Sequence, residues 1–355
     1  MQPLAGALLA ALVAAAPAQR VVEAPQPVTP ARQAQRLTRQ LELPERCSAA
    51  WRGLVELGPP AAVPLAAATA DPRPDVAMRA FFVLGLLGAD GEAALPALRA
   101  HAAGKDQQLA GAAVWAIARI EFRGRLLTDY QTGKVEHLDA AGNVVRTIEN
   151  LKGPWHAEPV GGGRLLVSEY GGGCVREIDA AGKEVWKRGD LSDPYHTQRL
   201  PGGTTIICDA GHDQVIEVDR EGKVVWERKG LKRPVAAVRT PDGHTLIVEQ
   251  RGDVFELDEQ DAEIARWAVA QRAMRAERLL SGNTLIAVHV GNQVIELGPD
   301  GKEAATPIEV PQAQAALRRR DGHTLIAGTS CWIELDAAGK QVWRRKGTYA
   351  VGVYW

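Results

Sequence analysis

Two periods of apolar residues divide this chain. From Val76 to Gly88, VAMRAFFVLGLLG, apolar positions recur at helical spacing and place Val76, Ala80, Leu84 and Leu87 on one face. LAGAAVWAIARI repeats that face with Leu109, Ala113, Ile117 and Ile120. Between them GEAALPALRAHAAG reads as a shorter helix behind a Gly-Ala-Asp-Gly turn, and GPPAAVPLAAATAD (58–71) reads as the second helix of an earlier unit. Helix pairs in tandem predict a short α-solenoid over 46–121, too short to bury its own ends and therefore packed on the rest of the chain.

From residue 122 the period falls to two and the chain repeats itself. Strand signals open at Gly124, Gly163, Gly203, Gly243, Gly282 and Gly322, a step of 39 or 40 residues. A second signal keeps the step: HLDAAGN, EIDAAGK, EVDREGK, ELDEQDA, ELGPDGK and ELDAAGK. A third follows in VVRTIE, EVWKR, VVWER, IARWAV, a degenerate copy near 302–308, and QVWRR. Turns such as Pro-Gly-Gly, Pro-Asp-Gly and Ala-Ala-Gly separate them and supply residues able to take positive φ. Six copies with four short strands each predict a six-bladed β-propeller over 122–355, so the fold class is mainly β behind a helical region. Trp186, Trp226, Trp267 and Trp343 are expected as wedges between blades, each N–H finding a backbone partner.

The first Gly-started strand follows directly on a helix, so its blade lacks an inner strand. The C-terminal KGTYAVGVYW is expected to return and supply it, closing the ring and removing a free sheet edge. Register leaves Val353–Trp355 for that strand unless the connecting loop is shorter than in other blades. The rival is Ile117–Phe122, at the cost of a helical turn.

The uncharged run from Pro3 to Ala18, ending Ala16-Pro17-Ala18, reads as an export signal over 1–18, although no Lys or Arg precedes it. It is too short to span a bilayer as a stable helix, and no transmembrane segment is expected in the mature chain. Residues 19–45, with several prolines and no apolar stripe, read as a linker that turns helical only near its end. The expected location is periplasmic or secreted. A net charge of −1 with 24% charged residues argues against a large nucleic-acid footprint. Cys47, Cys174, Cys208 and Cys331 match no zinc spacing and are expected as buried single thiols; export permits a disulfide, and Cys174 and Cys208 fall on neighbouring blades.

The helical segment resembles HEAT-like repeats. LPGGTTII…VIEVDREGKVVWE resembles the repeat of PQQ-like and arylsulfotransferase-like propellers, over roughly the last two thirds of the chain. Six blades and no matching acidic metal cluster depart from the PQQ-dependent dehydrogenases, so no cofactor and no metal are expected. Arylsulfotransferases use histidines on the funnel face, and the resemblance points to His156 in GPWHAEPV and His196 in DPYHTQRL as catalytic candidates. The other copies carry Ala236, Arg275 and Ala315 there.

His212 and His289 also map to the funnel face, whereas His244 and His323 fall in turns on the opposite face. Glu169, Asp209 and Glu249 share one repeated position, where an acid either satisfies a turn N–H or faces a ligand. The candidate ligand-binding set is His156, Glu158, Tyr170, His196, Gln198, His212, Arg239, Arg251, Arg275, Glu277 and His289. The expected function is that of an exported, non-catalytic binding protein that takes a protein or small ligand on this face. The alternatives are an arylsulfotransferase-like enzyme using His156 or His196, and a periplasmic assembly scaffold using the blade rims.

Overall fold

A computed structural model describes residues 29–250, 252–269 and 272–355; the segment read as an export signal lies outside them. Six helices come first: α1 (Pro30–Gln40), α2 (Pro44–Leu57), α3 (Pro59–Ala68), α4 (Pro74–Leu87), α5 (Leu95–Ala102) and α6 (Gln107–Glu121). The segment read as a linker is corrected here, because α1 and the start of α2 occupy its second half. Its prolines are helix openers: Pro30 and Pro44 sit in the first helical turn, where the missing N–H costs nothing. Thr29 caps α1 by accepting the Arg32 N–H, and Ala34, Leu37 and Leu41 are buried. The stretch Pro74–Ala102 is long and apolar enough to cross a membrane by length and composition. A 3-10 segment, Gly88–Ala94, interrupts it, and its Phe81, Leu84 and Leu98 enter the protein core.

Six four-stranded antiparallel sheets follow. The inner strands of blades two to six are Pro154–Gly161, Pro194–Arg199, Pro234–Arg239, Ala273–Arg278 and Ala313–Arg318. Blade one takes Ala350–Tyr354, which pairs antiparallel with Arg125–Asp129 (Leu127 opposite Val353, Thr128 opposite Gly352). The ring is therefore closed by the C-terminus, and the strand starts three residues ahead of Val353 because the loop before it is short. The rival segment stays helical to Glu121.

The repeated residues hold the ring together. Glu177, Glu217, Glu256, Glu296 and Glu334 receive the guanidinium of the next blade: Arg199, Arg239, Arg278, Arg318 and Arg125. Each carboxylate takes a second partner at the start of its own blade's second strand: Arg164, Thr204, His244, Asn283 and His323. The four wedge tryptophans lie under the same arginines, with Trp186, Trp226, Trp267 and Trp343 at 5.0, 5.1, 5.0 and 4.8 Å from Arg199, Arg239, Arg278 and Arg125. Trp186 and Trp267 donate to backbone carbonyls, as expected; Trp226 donates to the Asp261 carboxylate instead.

The helices pack on the face that carries the turns between first and second strands. One apolar cluster joins Leu54, Phe81, Leu84 and Trp115 to Leu200, Ile206, Ile247 and Phe255 of blades three and four. Ser48 and Trp51 bond to Asp242 of blade four, Arg79 to Glu259 at 2.7 Å, and Arg320 of blade six to Asp90. Trp115 donates to the Arg199 carbonyl at 2.7 Å. Arg119 reaches Glu158 at 2.7 Å and the Pro159 carbonyl at 3.2 Å. All four cysteines are unpaired buried thiols, and burial pushes Cys47 up to about 12.

Two outcomes follow from this packing. Truncation after Tyr349 exposes the edge of Arg125–Asp129, so the shortened chain should lose its monomeric state and its single unfolding transition. Light scattering and urea melts check this, and an unchanged monomer refutes C-terminal closure. Glu158→Ala leaves the buried Arg119 unpaired and should cost about 3–5 kcal/mol in urea unfolding. A ligand-facing Glu158 would instead leave stability unchanged.

Candidate functional site at the propeller mouth

The inner strands run side by side along the axis without pairing to one another, so their side chains decide what the channel is. At the third position of each strand stand His156, His196, Ala236, Arg275, Ala315 and Gly352, which line a cavity at the axis together with Trp155, Met274 and Gln314. The rings of His156 and His196 lie 4.4 Å apart, at 3% and 4% exposure. Burial lowers both well below the usual imidazole range, reinforced at His156 by His196 and then Arg275 and at His196 by Arg275, so both are neutral near pH 7. The space between these side chains has room for about one water molecule.

Three predicted ligand contacts are corrected two positions further along the strands. Glu158, Gln198 and Glu277 accept the backbone N–H of Arg199, Arg239 and Arg318, each from the neighbouring blade. Unpaired inner strands leave N–H groups facing the axis, and these side chains satisfy them. Arg239 is corrected likewise, being held by Glu217 and Trp226. The repeated acid settles on its structural alternative. Glu169, Asp209 and Glu249 accept the N–H of Lys152, Ser192 and Lys232 in the loop entering the inner strand, at 2.6, 2.7 and 2.7 Å. Asp129 does the same for Thr348 in blade one, a copy that the repeat alignment passes over.

Above the channel the mouth is aromatic on one side. Tyr130, Trp155, Tyr170, Tyr195 and Tyr349 form one cluster, with ring centroids 4.6 to 6.4 Å apart. Four of the chain's five tyrosines stand there. All but Tyr195 are half-buried, so the cluster presents ring surface at the mouth. Arg233 borders it, lying 5.9 Å over the Tyr195 ring and bonded to Asp193 at 2.7 Å and to the Tyr170 hydroxyl at 3.2 Å. Of the predicted set, Tyr170 belongs to this cluster. His212 sits on the rim, 52% exposed and paired with Asp209 at 2.8 Å; His289 lies beside Arg272, on blade five, and its imidazole is lowered by burial and then by that arginine. Arg251 lies outside the described residues.

Tyr130, Tyr349 and Arg233 are absent from the sequence-derived set. Their signal was positional: each falls in a loop at the same end of its blade, beside the P-W-H and P-Y-H entries. Among the described residues no group of three or more His, Cys, Asp or Glu side chains is placed to hold a metal ion.

The imidazole pair sets a pH dependence. Both groups bind protons more weakly in the folded chain, so the unfolded state holds more protons below about pH 6.5. Stability is full above that pH and falls as pH drops towards the folded values, by up to about 2.7 kcal/mol per pH unit for two groups. His156→Gln/His196→Gln should flatten this slope in urea melts at pH 7.5, 6.5 and 5.5. An equally steep slope in the double variant contradicts the assignment.

A protein of unknown function from Bacteroides caccae superposes with a TM-score of 0.56 at 15% identity, covering 64% of this chain and 97% of that one. A chain of the nidogen/laminin complex superposes with a TM-score of 0.52 at 15% identity, covering 65% and 97%. Virginiamycin B lyase from Staphylococcus aureus gives 0.48 at 12% identity, covering 63% and 80%. The first two likenesses extend to the propeller fold alone. No curated protein sequence matches the chain. The family model for outer membrane protein assembly factor BamB matches residues 131–279 and, overlapping, 171–325, together more than half of the chain. The protein belongs to that family of PQQ-like repeat propellers.

Proposed function

We propose that this chain is an exported, non-catalytic binding protein whose propeller mouth receives a protein partner. The observation that carries this reading is the half-buried bowl of Tyr130, Trp155, Tyr170 and Tyr349, bordered by Arg233, above a channel too narrow for a drug-sized ligand. Tyrosine, tryptophan and arginine are the residues that carry most binding energy at protein interfaces, because they bury large rigid area and keep a polar edge. The family's name concerns outer membrane protein assembly, which favours a protein over a small molecule and an exported location over a cytosolic one. The uncharged N-terminal run fits the same location. The helices, seated on the opposite face, leave the mouth open and serve as a base.

Sulfuryl transfer is the weaker reading. His156 and His196 touch each other, but neither has a carboxylate to orient it, and no aryl sulfate fits beside them. The blade rims carry exposed Val145, Val185, Val225, Ile264 and Val342 on their outer strands, which keeps a rim scaffold as the second reading.

A photo-crosslinking residue at Tyr349, compared with one at Val185, separates the two in cells that export the protein. A defined protein adduct at the mouth, cut at least about 10-fold by Trp155→Ala, is the expected result; such a loss corresponds to about 1.4 kcal/mol. Adducts at the rim alone, or none at the mouth, overturn the proposal.

A further inference from the structure

The axis of the propeller holds polar groups that nothing among the described residues satisfies. Arg275 makes no ion pair and no hydrogen bond among the described residues, and its Nε is buried without a partner. Both ring nitrogens of His156, Nδ1 of His196 and Oε1 of Gln314 are buried without partners as well. All four side chains line the same cavity, contributed by blades two, three, five and six. Buried polar atoms in folded proteins are almost always paired, so this concentration at one point indicates an occupant.

The charge of the groups restricts what the occupant can be. Arg275 is cationic, and its nearest acids are already engaged. Glu158 is bound by Arg119 and by the Arg199 N–H. Glu277 accepts the Arg318 N–H, and burial pushes it up to about 7, which weakens its negative charge. The two imidazoles are neutral, and each can donate one N–H. Gln314 can turn its amide to present the NH2 group, since its present contact with Thr329 at 3.5 Å is weak. The site is thus donor-rich with one net positive charge, which excludes a metal cation and selects an anion.

Size restricts it further. A space for about one water-sized sphere admits a single monatomic anion after small side-chain adjustments. A sulfate, a phosphate or a nucleotide does not fit. We propose that the channel holds one halide-sized anion, chloride in its natural setting, between the Arg275 guanidinium, the His156–His196 pair and Gln314. The anion ties four inner strands together at the axis, where no backbone pairing joins them.

Bromide replaces chloride in the test because its position is directly readable. Crystals of the purified protein grown in bromide should show one anomalous peak in the channel, in contact with Arg275. In solution, replacing gluconate by chloride at constant ionic strength should raise Tm as a logarithmic function of chloride concentration, as expected for a site bound only in the folded state. Arg275→Met should abolish that rise. If Arg275→Met does not fold, the bromide measurement on the unaltered chain still decides. A channel that holds only water in bromide, or an Arg275→Met protein whose Tm responds to chloride as the wild type does, overturns the proposal.

Discussion

The propeller depends on one interaction made five times over: a carboxylate, buried or nearly so, that two blades share. Each glutamate of the E-x-D strand accepts a partner from its own blade and a guanidinium from the next, while the Trp of the V-W strand lies under that guanidinium in four of the five seams. A buried charge is tolerable only when its hydrogen-bonding capacity is filled, and here filling it requires the neighbouring blade to be in register. The apolar sheet faces supply the bulk of the burial. The Glu–Arg–Trp unit fixes the angle at which one blade meets the next.

The seam between blades one and two lacks that unit. His137 stands in blade one where the other blades carry that glutamate, its ring bonded to the Arg123 carbonyl, and Pro159 occupies the slot that holds arginine in blades three to six. Arg119 of α6 reaches blade two beside that position, bonding Glu158 and the Pro159 carbonyl. Helices that cannot bury their ends alone instead share one apolar cluster with blades three and four.

Function is pushed to the other face by the same logic. With the turn face covered and the inner-strand N–H groups absorbed by Glu158, Gln198 and Glu277, the polar positions free to meet anything else are few. They lie at the third position of the inner strands and in the entry loops above. The first group faces a narrow axial space, suited to an ion; the second forms an open aromatic surface, suited to another macromolecule. The two sites are distinct in chemistry although they are stacked along one axis.

The ring was fully legible in the sequence, because a step of 39 or 40 residues with fixed Gly, E-x-D and V-W signals specifies identical units, and identical units that must hide their edges close on themselves. The C-terminal closure was legible for the same reason. The first two helices were not, since a proline reads alike in a linker and in a first helical turn until its neighbours are known to be buried. Glu158, Gln198, Glu277 and Arg239 were misread because a polar residue facing an axis has the same spacing whether it meets a ligand or a neighbouring strand's N–H. The aromatic bowl was legible only in part, through Tyr170 and the P-W-H entry, because Tyr130 and Tyr349 carry no shared motif and only the closing of the ring brings them together. Sequence determined the unit and its number. Tertiary structure decided which polar residues were left over, because that depends on partners contributed by other blades and by the helices.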